Sequence, residues 1–512
     1  MNRSVFVRGA VALFVAIVSL SVVGCLGQRS FFAGRTFPPS TILQRVLVAI
    51  QNPGSLTPGA LQIVDARYDI RNAENGKIPS FSITGFSGKL PSVILNYPEQ
   101  QAGYVYSYGD GSVAGINYAK ESQTYAISGL TPGLTDGAFY VTQDGNTTFA
   151  ANQPMQSLTV INSVTGVTVH LNLPNVYKVG VNPSGTVAMA YVQNSDYAYR
   201  VIQLQQPNGA IAPVPTFPNE ANWPKAVSPV NCQPVNTPVY CVVPVLDQTG
   251  NPIQFDRPTK AIFSPDGTTA WVLNCGPECG NSAADPVTGQ AAASISFLST
   301  GVLNINNFPG STYPTPTPPV QAQPTESARV SVPGGATMAL YGNGTLYVSG
   351  QQLQTTGQYA GLFEGFLSVL NLSTMQVTNQ YQIADGTHTK MLFADDNTMW
   401  IGSQLCQVGV LTAENNPNMP NGCLTMFNLN NNTVLVEPWY GDLTGLCAIS
   451  QWHKVYTAYG GQIHIYATTD HGITTFTTTP YTAGTELSNY NVTVTGTAYD
   501  VAYMDAISNA AD

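Results

Sequence analysis

One frame recurs along this chain: a short apolar strand, a polar turn, a second strand, then a third strand that ends in another turn. It starts at Gly137 (GAFYVTQDGNTTFAAN), Val176 (VYKVGVNPSGTVAMAYVQ), Thr259 (TKAIFSPDGTTAWVLN), Ala336 (ATMALYGNGTLYVSG) and Thr389 (TKMLFADDNTMWIGS). Third strands follow at Gln156 (QSLTVINSVTG), Ala293 (ASISFLSTG), Gly365 (GFLSVLNLST) and Gly422 (GCLTMFNLNNN). Runs of Val, Ile, Tyr, Phe and Thr bounded by Gly, Asn, Asp and Pro read as β-strands. The 36 prolines and 47 glycines punctuate the chain too often for a long amphipathic helix. The first turn of each unit needs residues that tolerate tight or left-handed backbone, which SPDG, NPSG and YGNG supply.

A four-stranded antiparallel unit cannot bury both faces of its own sheet, whereas radial stacking of several units can. The expected fold is therefore all-β, a β-propeller of four-stranded antiparallel blades. SPDG, then a strand, then a stretch ending in Ser-Thr-Gly resembles the YVTN-type propeller repeat. The likeness is strongest at 260–300 and extends over most of residues 41–505. Ala394-Asp395-Asp396-Asn397 and Ser450-Gln451-Trp452-His453 depart from the turn pattern, so their blades rest on spacing alone. Complete units fall near 90–128, 129–173, 174–256, 257–333, 334–385, 386–440 and 441–484. The remaining pieces are RVLVAIQNPGSLTPGALQIVDARYD with IPSFSITG at the N-terminal end, and TAYDVAYMDA at the C-terminal end. Together they would form an eighth blade from both chain ends, which protects the sheet edges. Eight blades are expected, with seven as the alternative, in a single domain spanning 41–512. Two insertions interrupt the spacing, at about 207–244 and at about 308–335. The second is rich in Pro and Thr and reads as an extended surface loop.

The N-terminus points to a compartment. Arg3 and Arg8, an apolar run from Ala10 to Val23, and Gly24-Cys25 describe an export signal. Val22-Val23-Gly24-Cys25 resembles the bacterial lipobox. That resemblance implies removal of residues 1–24, lipidation of Cys25 by acyl chains such as palmitate, and a tether at 25–40. The expected location is the bacterial cell envelope, with the chain anchored to a membrane by lipid. Formal net charge is −10, and loss of Arg3 and Arg8 takes it to −12, which argues against a nucleic-acid partner. Charged residues are only 9% of the chain, against roughly 25% in typical soluble proteins.

Oxidising compartments favour disulfides. Local spacing suggests the pairs Cys232–Cys241, Cys275–Cys279 and Cys406–Cys423, with the last two in equivalent loops between second and third strands. Cys447 is left on an inner strand and reads as a buried free thiol. The five histidines, His170, His388, His453, His464 and His471, show no metal-ligand spacing, so no metal and no cofactor are expected. Three of the eight lysines, Lys178, Lys260 and Lys390, fall on one repeat position, and Asp500 is its C-terminal counterpart. Inner strands line a propeller's channel, so these side chains converge on an anionic ligand at its mouth, or else reach solvent or pair with Asp500. No G-x-S-x-G elbow or phosphate-binding glycine loop is present. The expected function is a non-enzymatic scaffold that binds a protein, glycan or small anionic ligand. The alternative is a propeller enzyme such as a lactonase or a dehydrogenase; a lactonase-like metal site would place carboxylates, Asn or His in the channel, where this alignment places lysines and apolar residues.

Overall fold

A computed structural model describes residues 38–69, 81–205, 209–217, 219–281, 283–306, 326–414, 416, 420–469, 482–487, 492, 494 and 496–505. Eight antiparallel sheets are arranged as the blades of a ring. The export signal, Cys25, most of the tether and most of the Pro/Thr-rich insertion lie outside the described residues. Among the described residues, no helix is long and apolar enough to cross a membrane.

The innermost strands, in chain order, are Pro91–Tyr97, Phe139–Val141, Val176–Val181, Pro258–Phe263, Met338–Gly342, Thr387–Ala394 and Leu443–Ile449 for blades 1 to 7, and Thr497–Tyr503 for blade 8. Blade 8 is the composite predicted from the sequence. Its innermost strand comes from the C-terminus and pairs with Arg45–Gln51, which pairs with Gly59–Asp65. Its fourth strand is the short bridge of Ser82 to Gln62, flanked by hydrogen bonds from Ile63 to Phe81 and from Ile83 to Leu61, both 2.9 Å.

Arg45 locks this closure. Its guanidinium is buried, donates to Asp505 at 2.7 Å, to Glu121 at 3.1 Å and to the Tyr118 carbonyl at 2.5 Å, and so ties both chain ends to blade 1. A buried cation is tolerable only with this degree of pairing.

Turn chemistry explains the repeat. In blades 2, 3 and 4 the first turn closes with a hydrogen bond onto Thr142, Asn182 or Ser264 and ends on Gly145, Gly185 or Gly267, whose φ values are +72°, +69° and +69°. Blades 5 and 6 use a different solution. Asn343-Gly344 and Asp396-Asn397 each place two successive residues at positive φ, the two-residue hairpin turn that matches strand twist. The departure at Asp395-Asp396-Asn397 is therefore a change of turn type within an intact blade. At Ser450–Trp452 a single helical turn capped by left-handed His453 does the same job.

Both insertions differ from a simple loop. The first ends as the fourth strand of blade 3, Tyr240–Pro244, and adds a fifth, Asn231–Gln233. The end of the second, Glu326–Val332, is the fourth strand of blade 4. Its alternating ESARVSV sends Arg329 to one side, where it pairs with Asp285 at 3.2 Å and Glu326 at 2.6 Å. The apolar core is divided among clusters that straddle neighbouring blades, such as Leu47, Ile63 and Val105 between blades 8 and 1. Blade 3 adds a cluster of its own, in which Ile202, Leu204 and Val243 pack against Phe217 of its insertion.

Candidate functional site

In six blades the innermost strand carries a β-bulge at one equivalent position, shown by register shifts at 91/93, 176/178, 258/260, 388/390, 443/445 and, opposite Ala49/Ile50, at 498/500. A bulge re-aims the side chain that follows it. The residues that follow are Val93, Lys178, Lys260, Lys390, Gly445 and Asp500. The repeat alignment puts Ala138 and Met338 at the same level in blades 2 and 5. These positions lie near the starts of the innermost strands. The antiparallel path brings loops between successive blades, and loops between second and third strands, to that same end of the channel.

The loop that leads into blade 2 supplies a residue the sequence did not single out. Asp136 precedes Gly137 (φ +79°), whose carbonyl accepts the Val179 N–H of blade 3 at 2.8 Å. The Asp136 carboxylate lies 3.3 Å from Lys390 Nζ, and its side chain is 40% exposed. Burial raises its proton affinity, but Lys390, Lys260 and Lys178 outweigh that and hold it below the ordinary carboxylate value. One carboxylate thus pairs with Lys390 and lies in the field of lysines from two further blades.

The three lysines are not equivalent. Lys390 also lies 3.8 Å from Asp500. Burial acts against its charge, yet Asp136 and Asp500 carry its pKa upward. Lys178 sits with Nζ 5.3 Å from the Tyr177 ring centroid. Burial moves its pKa down, against the pull of Asp136 and Glu278. Lys260 Nζ donates to the Met338 thioether at 2.9 Å, a weak acceptor. Burial lowers Lys260 to about 8, with Asp136 opposing and the like charges of Lys178 and Lys390 adding to the shift.

Asp500 is buried, and its carboxylate accepts the backbone N–H groups of Ile94 at 2.8 Å and Val501 at 3.0 Å. Burial raises its pKa to about 6 despite Lys390 and these bonds. Its backbone fits because position 445 is glycine; a Cβ there would meet the Asp500 Cα at 2.7 Å. The Lys390–Asp500 pairing that the sequence left as one option is present, while Asp136 draws the same lysine toward the open channel.

A second residue missed from sequence comes from the Cys275–Cys279 loop. The disulfide closes a single helical turn, Gly276–Cys279, and that turn delivers Glu278. Gln351 donates to Glu278 from its backbone N–H at 2.9 Å and from Nε2 at 3.2 Å, while Gln351 Oε1 accepts the Gly386 N–H at 2.9 Å. Blades 4, 5 and 6 are thereby linked at the mouth. Burial raises Glu278 to about 7, against the Gln351 bonds and the nearby Lys178 charge. The expectation of a channel lined by lysines and apolar residues is corrected here: three carboxyl groups share the mouth. The available signal was rarity, since Glu278 is the one charged residue in NCGPECGN of a chain with 9% charged residues.

The other sequence candidates are placed as follows. Cys232–Cys241, Cys275–Cys279 and Cys406–Cys423 are disulfides, and Cys447 is a buried free thiol. His388 is buried, bonds the Ala384 carbonyl at 3.0 Å and is lowered to about 4 by burial. His464 pairs with Glu486 at 2.6 Å, His170 meets Thr159 at 3.0 Å, and His471 lies outside the described residues. Among the described residues, Asp395, Asp396 and His453 form the one group of three metal-capable side chains, at the opposite ends of the strands from the lysines.

No family model and no curated protein matches the sequence. Solved structures of similar shape include the hydrazine synthase of Kuenenia stuttgartiensis, at 15% identity over 67% of this chain and 80% of that one, with a TM-score of 0.36. A protein described as a 6-phosphogluconolactonase from Bacteroides fragilis is 11% identical over 90% of this chain and 98% of its own, with a TM-score of 0.40. The dihydro-heme d1 dehydrogenase NirN is 10% identical over 92% of this chain and 79% of its own, with a TM-score of 0.46. At such identities the likeness concerns the fold alone.

Proposed function

We propose that this chain is an exported, lipid-anchored propeller of the bacterial cell envelope that binds a small anionic ligand at its channel mouth without transforming it. One observation carries the binding reading: the Asp136 carboxylate lies 3.3 Å from Lys390 Nζ, within the field of Lys260 and Lys178 from two other blades. A carboxylate held among converging lysines marks where an anion is favoured. The low-charge walls of the channel strengthen that field. Three disulfides fit an oxidising compartment, and the Val22-Val23-Gly24-Cys25 motif supplies the anchor.

Calorimetric titration with oxalate tests the reading. Binding is expected, and it weakens on replacing both Lys178 and Lys390 by Gln in protein that keeps its melting temperature. Absence of oxalate, phosphate and citrate binding to the wild-type chain overturns it. The anchor is tested by Cys25→Ser, which shifts the protein from the membrane fraction to the soluble fraction; unchanged partition refutes lipidation. An enzymatic reading, as a lactonase or dehydrogenase, draws on Glu278 at about 7, the range suited to a general base. Turnover of a lactone that is lost in Glu278→Gln would favour it.

A further inference from the structure

Lys260 differs from its two neighbours in what surrounds its amine. Lys390 has two carboxylates, at 3.3 and 3.8 Å, and keeps its proton. Lys178 is also lowered by burial, but it has the Tyr177 ring at 5.3 Å and the fields of Asp136 and Glu278 to favour its charged form. Lys260 has no carboxylate in ion-pair contact among the described residues: its amine has the sulfur of Met338 as hydrogen-bond acceptor, and burial and the repulsion of both other lysines outweigh the field of Asp136. Lys260 is half-buried rather than enclosed.

We propose that the Lys260 amine forms a reversible imine with a small aldehyde or 2-oxo acid whose carboxylate is held by Lys178 and Lys390. The inference rests on the anion-binding reading and names the ligand class. The neutral Nζ lone pair adds to the carbonyl carbon, and the carbonyl π pair becomes an oxyanion that takes a proton. The resulting carbinolamine loses its hydroxyl group as water while nitrogen gives up a proton. Overall, amine and carbonyl yield imine and one water, with protons exchanged through channel water and neither oxidant nor reductant required. Two cations for the carboxylate and one free amine for the carbonyl match a 2-oxo acid group for group. The low pKa of Lys260, about 8, leaves roughly a tenth of it neutral at pH 7, against well under one part in a thousand for an ordinary lysine.

The full-length protein is incubated with glyoxylate and cyanoborohydride at pH 7, digested, and its lysines are compared by mass spectrometry. Carboxymethylation at Lys260 is expected on the order of tenfold or more faster than for a free lysine side chain under the same conditions, given the larger neutral fraction, and oxalate suppresses it. Lys260→Arg is expected to abolish the site-specific trap, because a guanidinium forms no imine with the aldehyde. Equal labelling of all lysines, or an unlabelled Lys260 in protein that binds oxalate, overturns the imine and leaves anion binding intact. Loss of oxalate binding in the wild-type chain overturns both.

Discussion

Asp136 occupies the place where an anionic ligand would sit, so Asp136→Asn should tighten anion binding. The magnitude follows from Coulomb's law. The carboxylate is 40% exposed, which places the effective dielectric between about 20 for the protein surface and about 80 for water. At about 40, a charge roughly 5 Å away is repelled by about 1.7 kcal/mol. Screening at physiological ionic strength removes about half of that. For a dianion such as oxalate the total returns to about 1.7 kcal/mol, or roughly fifteen- to twentyfold in affinity. The experiment belongs at pH 6. That is about two pH units below Lys260, which burial lowers to about 8, and so limits the loss of its charge when the Asp136 carboxylate is removed. Lys390 keeps Asp500 as partner at 3.8 Å, so the fold should tolerate the change. Titration calorimetry of wild type and Asp136→Asn against oxalate gives the comparison. Unchanged or weaker binding by a variant with a normal melting temperature would show that Asp136 does not compete for the lysines.

Three further expectations follow from the same geometry. Anion binding favours protonated Lys260 and protonated Glu278, so affinity rises as pH falls from about 8 through about 7. Binding then takes up protons, and titrations in buffers of different ionisation enthalpy measure that uptake; proton release would contradict the assignment. Asp505→Asn removes one carboxylate from buried Arg45 while Glu121 remains at 3.1 Å, and should cost about 3 kcal/mol. A urea-denaturation loss below about 1 kcal/mol would show that the closure does not depend on this pair. Among Cys232, Cys241, Cys275, Cys279, Cys406, Cys423 and Cys447, native unreduced protein should give no alkylation, and unfolded unreduced protein should label Cys447 alone. Ready labelling of Cys275 or Cys279 would refute the pairing.

Much of the blade architecture was legible because its causes are local. Alternating apolar strands and turns such as SPDG depend on residues a few positions apart, and so does a cysteine pair separated by 4 in sequence. Lys178, Lys260 and Lys390 were legible for a related reason: repetition puts equal positions at equal heights in the ring. Even the closing blade could be read from its unpaired pieces, although eight blades over seven was settled by Val46 pairing with Tyr503 and its neighbours along the strand.

Asp136 and Glu278 obey no repeat. One lies on an inter-blade loop and the other inside a disulfide turn, and nothing in the local pattern of either points to a lysine elsewhere in the chain. They meet the lysines only because ring closure brings the loops of separate blades to one end of the channel. The charge balance at the mouth is decided the same way. Proton affinity depends on burial and on neighbours within a few ångströms, and those neighbours, from Ile94 of blade 1 and Met338 and Gln351 of blade 5 to Asp500 of blade 8, are gathered only once the ring is complete.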